Sequence, residues 1–88
     1  METGCYIAGS WGQYAFGRLL SFAEENGWKN EYMINEDSQK DFDLDFLIEL
    51  ADEAEVWLNQ NVAPEGCSFG WFDGEFFLWS DRDWETIG

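Results

Sequence analysis

The stretch CSFGWFDGEFFLWS, Cys67 to Ser80, places two aromatic runs on either side of Asp73-Gly74. Asp-Gly is favoured in a type I′ turn, where both central residues need positive φ. The spacing therefore predicts a hairpin with Phe72 opposite Glu75. In that register Phe69, Trp71, Phe76 and Leu78 share one face, and Ser68, Gly70, Phe72, Phe77 and Trp79 share the other. Both faces are apolar, so each needs a covering element or serves as a contact surface. Two strands alone are marginally stable in water. A third is expected from GCYIAG (Gly4 to Gly9) or EYMIN (Glu31 to Asn35).

Upstream, Leu47, Leu50, Ala51, Ala54, Trp57, Leu58 and Val62 recur at helical spacing, predicting a helix from about Asp43 to Asn61. Pro64 and Gly66 stop it. An earlier apolar stripe, Trp11, Ala15, Leu19, Phe22 and Ala23, predicts a helix with Ser10 as N-cap, ending at Asn26-Gly27. Gly12 and Gly17 weaken that helix by up to about 1 kcal/mol each. The tail, Asp81 to Glu85, is charged around Trp84, which is expected to pack back onto the sheet. The fold expected is α+β, a single domain over residues 1–88. Two helices pack on a small antiparallel sheet of two to four strands in the order β-α-β-α-β-β, with the aromatic hairpin last.

A chain of 88 residues buries only about 60 to 65% of the surface its unfolded form exposes. The core must therefore be dense, and the 19% aromatic content supplies the bulk. Cys5 and Cys67 read as reduced core residues of a cytosolic protein, with a single Cys5–Cys67 bridge as the alternative. No basic segment precedes an apolar run and no apolar run approaches 18 residues. Neither a signal peptide nor a membrane span is expected.

The chain contains no histidine, which removes the commonest general base and metal ligand. The cysteines are isolated from any CxxC spacing, and no glycine pattern fits a phosphate loop. Paired carboxylates can hydrolyse glycosides, but a domain this small leaves little room for the deep cleft such chemistry needs. Asp41, Asp43, Asp45, Glu49 and Asp52 mimic five positions of an EF-hand loop. Phe46 stands where the loop needs Gly, and Asp52 where it needs a bidentate Glu. The expectation is a non-enzyme with no cofactor and no metal.

What remains is charge. Nineteen acids face four bases, a net of −15, far beyond the magnitude of about 2 to 8 that solubility requires. Residues 1–23 are neutral, so the remainder carries all of it. The density peaks from Glu36 to Glu55, where Glu36, Asp37, Asp41, Asp43, Asp45, Glu49, Asp52, Glu53 and Glu55 face Lys40 alone. On a helix, Asp45, Glu49 and Asp52 recur at roughly 5 to 6 Å along one flank, with Glu53 beside them. Phosphates along a nucleic-acid strand are spaced similarly. An ordinary solvated face would interleave Lys with Glu, and this helix has neither Lys nor Arg. Exposed aromatics would add anchors, with Trp28, Trp79 and Trp84 as candidates. Trp11, Trp57 and Trp71 are assigned to the core.

Size, charge, the short acidic helix and the hairpin FGWFDGEFFLW together resemble the small acidic inhibitors of phages and mobile elements. These are the DNA mimics that include anti-restriction and anti-CRISPR proteins. The resemblance implies stoichiometric inhibition in a bacterial cytoplasm, with the nine acids occupying the basic groove of a nucleic-acid-binding protein or nuclease complex. Direct contact with nucleic acid or membrane is not expected, because both would repel the chain. The alternatives are an acidic adaptor or antitoxin-like protein that binds a basic partner without mimicry, and acidity that serves only solubility. The apolar hairpin faces also leave a homodimer open.

Overall fold

In the computed structural model, which describes residues 2–87 apart from the side chains of Trp11, Gln13 and Ile87, the chain adopts an α+β fold. Strands β1 (Gly4–Ile7), β2 (Cys67–Phe72) and β3 (Glu75–Ser80) form an antiparallel sheet in the order β1-β3-β2. Helices α1 (Ala15–Glu25) and α2 (Leu44–Asn61) pack on each other and on one sheet face, and α3 (Asp81–Ile87) follows β3.

The hairpin forms in the expected register, with Phe72 opposite Glu75 and Phe69 opposite Leu78. Asp73 and Gly74 take φ of 50° and 77°, the left-handed pair a type I′ turn demands. Phe76 and Leu78 are fully buried and Phe69 nearly so. They join Leu19, Leu20, Ala54 and Leu58 from the two helices in one core. Trp57 and Trp71 are half-buried against that core. Trp11, assigned to it from sequence, has its side chain outside the described residues.

GCYIAG supplies the third strand, with an irregularity. Register shifts between Cys5 and Ile7, and the bulge turns two successive residues inward. Tyr6 packs its ring 5.4 Å from Phe22 and 6.0 Å from Phe69, while Ile7 is fully buried. Cys5 is left exposed, contrary to its assignment as a core residue, while Cys67 is half-buried; both are free thiols. A bridge between them is geometrically closed. They lie on the two outer strands, opposite Phe77 and Ser80 of β3. Two strand spacings put roughly 10 Å between them, beyond the ~7 Å Cα separation a disulfide spans.

Two other expectations are corrected. EYMIN is not a strand: Met33 takes φ 53°, and Asn30 captures the backbone that a ladder would use. Its Nδ2 donates to Ile34 O at 2.7 Å, and its Oδ1 accepts from Ile34 N at 3.1 Å. Such side-chain bonds offer the backbone an alternative to a sheet. Ser10 does not cap the first helix either. A 3₁₀ segment, Gly9–Tyr14, is broken at Gly12 (φ 51°, ψ −122°), and α-helix begins only at Ala15.

Trp84 packs back as expected, on a helix that sequence did not signal. Ser80 Oγ accepts from Asp83 N at 3.2 Å, and Trp84 Nε1 donates to Ser68 O at 2.9 Å. The Trp84 ring lies 4.7 Å from Trp79, which stacks at 4.2 Å on Phe77. This aromatic layer partly covers the second face of the hairpin.

Candidate interaction surface: helix α2 and the acidic loop before it

Of the nine acids singled out by sequence, Asp37, Asp41, Asp43, Asp45, Glu49, Asp52 and Glu53 are exposed. Glu36 and Glu55 are half-buried and are corrected as fully presented groups. Glu36 Oε2 accepts from Ser21 Oγ at 3.3 Å. Burial pushes the Glu55 carboxyl above its ordinary range, and the negative charge of Asp52 one turn earlier adds to the shift.

The loop before α2 is held by its own polar side chains. Asn35 Oδ1 accepts from the N–H groups of Asp37 and Ser38, both at 2.9 Å, and Ser38 Oγ accepts from Asn35 N at 3.0 Å. Gln39 is buried and its Oε1 accepts from Gly17 N at 2.5 Å. Gly17 lies in the first turn of α1, where N–H groups have no partner within the helix. Gln39 thus caps α1 from a distance and fastens the acidic loop to it. The approach is so close that a Cβ on Gly17 would lie 2.5 Å from Asn35 O.

Asp43 occupies the N-cap position of α2, but its carboxylate makes no capping bond. The acid is left facing solvent and is not consumed by the helix end. Along α2, Leu47, Leu50, Ala51, Ala54 and Leu58 are buried. At 100° per residue, Asp45, Glu49, Asp52 and Val56 fall directly opposite them, and Glu53 lies on the flank shared with Trp57. Asn59, exposed on α2, ties the helix to β2. Its Oδ1 accepts from Phe69 N at 2.6 Å, and its Nδ2 donates to Phe69 O at 3.3 Å.

Among the described residues, Lys29, Lys40 and Arg82 pair with no carboxylate; the recorded ion pair is Arg18 Nη1 to Glu25 Oε1 at 3.8 Å. Among the described residues, none of the seven exposed acids of this segment forms an ion pair with Lys29, Lys40 or Arg82. Among the same residues no group of three His, Cys, Asp or Glu side chains converges on a common metal position. No described helix is long and apolar enough to cross a membrane.

Sequence also missed apolar residues interleaved with the acids. Leu44, Ile48 and Val56 are 61%, 39% and 52% exposed on α2. Together with Asp52 and Gln60 they recur every fourth residue, a spacing visible in the sequence once the buried face is subtracted. Among the proposed aromatic anchors, Trp28 is buried at 8% exposure and is withdrawn as a freely exposed anchor, while Trp79 and Trp84 are half-buried. A scan of this chain against protein-family models finds no match, and searches of curated proteins and solved structures find none either.

Proposed function

We propose that this protein is a stoichiometric inhibitor whose acidic face imitates nucleic acid and blocks a basic DNA- or RNA-binding groove of a defence nuclease complex. One observation carries the reading. Seven carboxylates between Asp37 and Glu53 stand exposed on a loop and helix tied to the core, with Lys40 as the one base within that segment. Fixed charges of one sign raise the encounter rate with an oppositely charged groove and repel wrong partners. Arginines lining such a groove can engage a carboxylate through two N–H donors, as they do a phosphate. Inhibition of this kind requires no turnover and no cofactor.

A second reading is favoured by Leu44, Ile48 and Val56. A phosphate backbone has no counterpart to exposed aliphatic side chains, whereas a protein-binding helix commonly sets them among charges. In that reading the chain is an acidic adaptor or antitoxin-like protein that neutralises a basic protein without imitating DNA.

The variant Glu49→Lys/Asp52→Lys/Glu53→Lys tests the face common to both. All three side chains are exposed, so the fold should persist by circular dichroism. Bacterial proteins retained by the immobilised wild type at low salt should be lost to the variant. Unchanged retention of the same proteins would remove α2 as the binding face. Displacement of the retained proteins by duplex DNA supports mimicry, while simultaneous binding of duplex and this protein supports the adaptor.

A further inference from the structure

Beside the outer face of α2, the helix and the loop after α1 line an open recess of about 410 Å³. This volume falls within the range of about 300 to 1,000 Å³ typical of ligand sites. Its walls include Trp28, Tyr32 and Trp57; its polar groups include Glu31, Glu53 and Lys29. A second recess shares Trp28, Glu53 and Trp57 and extends past Asp52 and Val56. The first site therefore opens onto the acidic face.

The recess is built by local chemistry. Gly27 takes φ 113° and lets the chain pass close to Trp57, whose Cη2 would lie 3.5 Å from a Cβ there. Asn30 fixes the loop through its two bonds to Ile34. Phe46 presents its ring to Tyr32 at 5.0 Å and 87°, an edge-to-face contact that holds the phenol beside the opening. Glu53 and Trp57, four residues apart, lie on the same flank of α2.

Aromatic walls next to two carboxylates that form no ion pair among the described residues favour a cation. An anion is repelled by Glu31 and Glu53, and a neutral apolar group would strip water from them without replacing its hydrogen bonds. Between the two cationic side chains the geometry favours Arg. Its guanidinium is planar, stacks on indole or phenol faces, and carries N–H donors arranged to meet a carboxylate, while the compact ammonium of Lys stays hydrated.

We propose that this recess receives one arginine side chain of the basic partner, its guanidinium plane against Trp57 and Tyr32 and its N–H groups donating to Glu53 and Glu31. The inference rests on the reading of α2 as a surface for a basic protein. It adds an anchor with shape, which charge alone does not supply. Lys29 lines the same recess without an ion pair among the described residues, so its charge opposes an incoming cation.

The test uses hexa-arginine and hexa-lysine, peptides of matched side-chain charge, titrated into the whole chain and followed by the indole N–H resonances of Trp28 and Trp57. Hexa-arginine should bind about two- to fivefold more tightly than hexa-lysine, up to the size of one exposed cation–π contact, and should shift both resonances further. Tyr32→Ala should reduce that preference, since Trp57 remains, and Tyr32→Phe should keep it. Tyr32 is 52% exposed, so neither substitution threatens the fold. Lys29→Gln should tighten binding of both peptides. Equal affinity for the two peptides, or a preference undiminished by Tyr32→Ala, overturns the pocket and leaves the acidic face standing. Failure of both peptides to bind at low salt overturns the pocket together with the basic-partner reading beneath it.

Discussion

Gly17→Ala replaces one hydrogen with a methyl group at the point where α1 meets the acidic loop. The new Cβ would lie 2.5 Å from Asn35 O, 2.6 Å from Gln39 Oε1 and 2.7 Å from Asn35 C. Two of these are backbone atoms and the third belongs to a buried side chain, so relief requires moving the loop. Overpacking of this kind costs about 1 to 3 kcal/mol. Moving the loop also breaks the Gly17 N to Gln39 Oε1 bond and leaves a buried donor unpaired, another ~1 to 3 kcal/mol. Alanine returns about 1 kcal/mol of helix propensity. The net destabilisation is roughly 3 kcal/mol, which lowers Tm by about 12 to 24 °C in a domain of this length. Thermal melts followed by far-ultraviolet circular dichroism read this directly. A Tm equal to or above that of the wild type would refute the claim that Gly17 is required by close approach and that Gln39 caps α1.

Asn30→Ala removes both bonds to Ile34, whose backbone sits in a fully buried residue. Urea unfolding should show a loss of about 2 to 4 kcal/mol, and a loss below about 1 kcal/mol would show that the loop holds without it. Gly70→Ala sets a Cβ 3.1 Å from the Trp84 ring. Faster exchange of the Trp84 indole proton should follow as its bond to Ser68 O is strained, and unchanged exchange would place Trp84 elsewhere. The folded-state pKa of Glu55 lies above its unfolded value, through burial and then Asp52. The native state therefore binds its proton more readily, and this group's contribution to stability falls as pH rises through the shifted pKa. Glu55→Gln should stabilise the protein at neutral pH by roughly 0.2 to 0.5 kcal/mol through loss of the like-charge pair, with a smaller gain below the carboxylate range. A gain that grows as pH falls would contradict this.

The hairpin and α2 were legible because their signals are local. Asp73-Gly74 dictates its turn, and an 18-residue helix repeats its apolar period often enough to fix both faces. What sequence missed depends on partners distant in the chain. The bulge at Tyr6 is set by pairing with β3, more than sixty residues away. Asn59 is exposed, and its two bonds to the Phe69 backbone become visible only once β2 is placed beside it. EYMIN carries strand composition, but Asn30 satisfies the same backbone locally and wins. Gly17 weakens a helix by propensity alone, but in the fold it permits a close contact with the acidic loop. An unexplained glycine within an apolar helical stripe is the signal that could have shown it.

The acidic segment itself was legible as charge but not as geometry. The run from Glu36 to Glu55 is plain in the sequence, yet its division into seven exposed acids and two half-buried ones follows from Ser21 and from the packing around α2. The interleaved Leu44, Ile48 and Val56 matter as much, because they separate imitation of a phosphate backbone from recognition of a protein surface. The recess beside Trp57 joins residues from two segments and has no signature in either.

The proposed function requires that this face compete with nucleic acid for a basic groove. The most direct measurement captures a bacterial partner on the immobilised protein at low salt and titrates in a labelled 30-base-pair duplex, following duplex bound and partner released. Mutual exclusion is expected, with release of partner matching uptake of duplex and with binding of this protein weakening steeply as salt rises. A ternary complex holding partner, duplex and this protein together would contradict it.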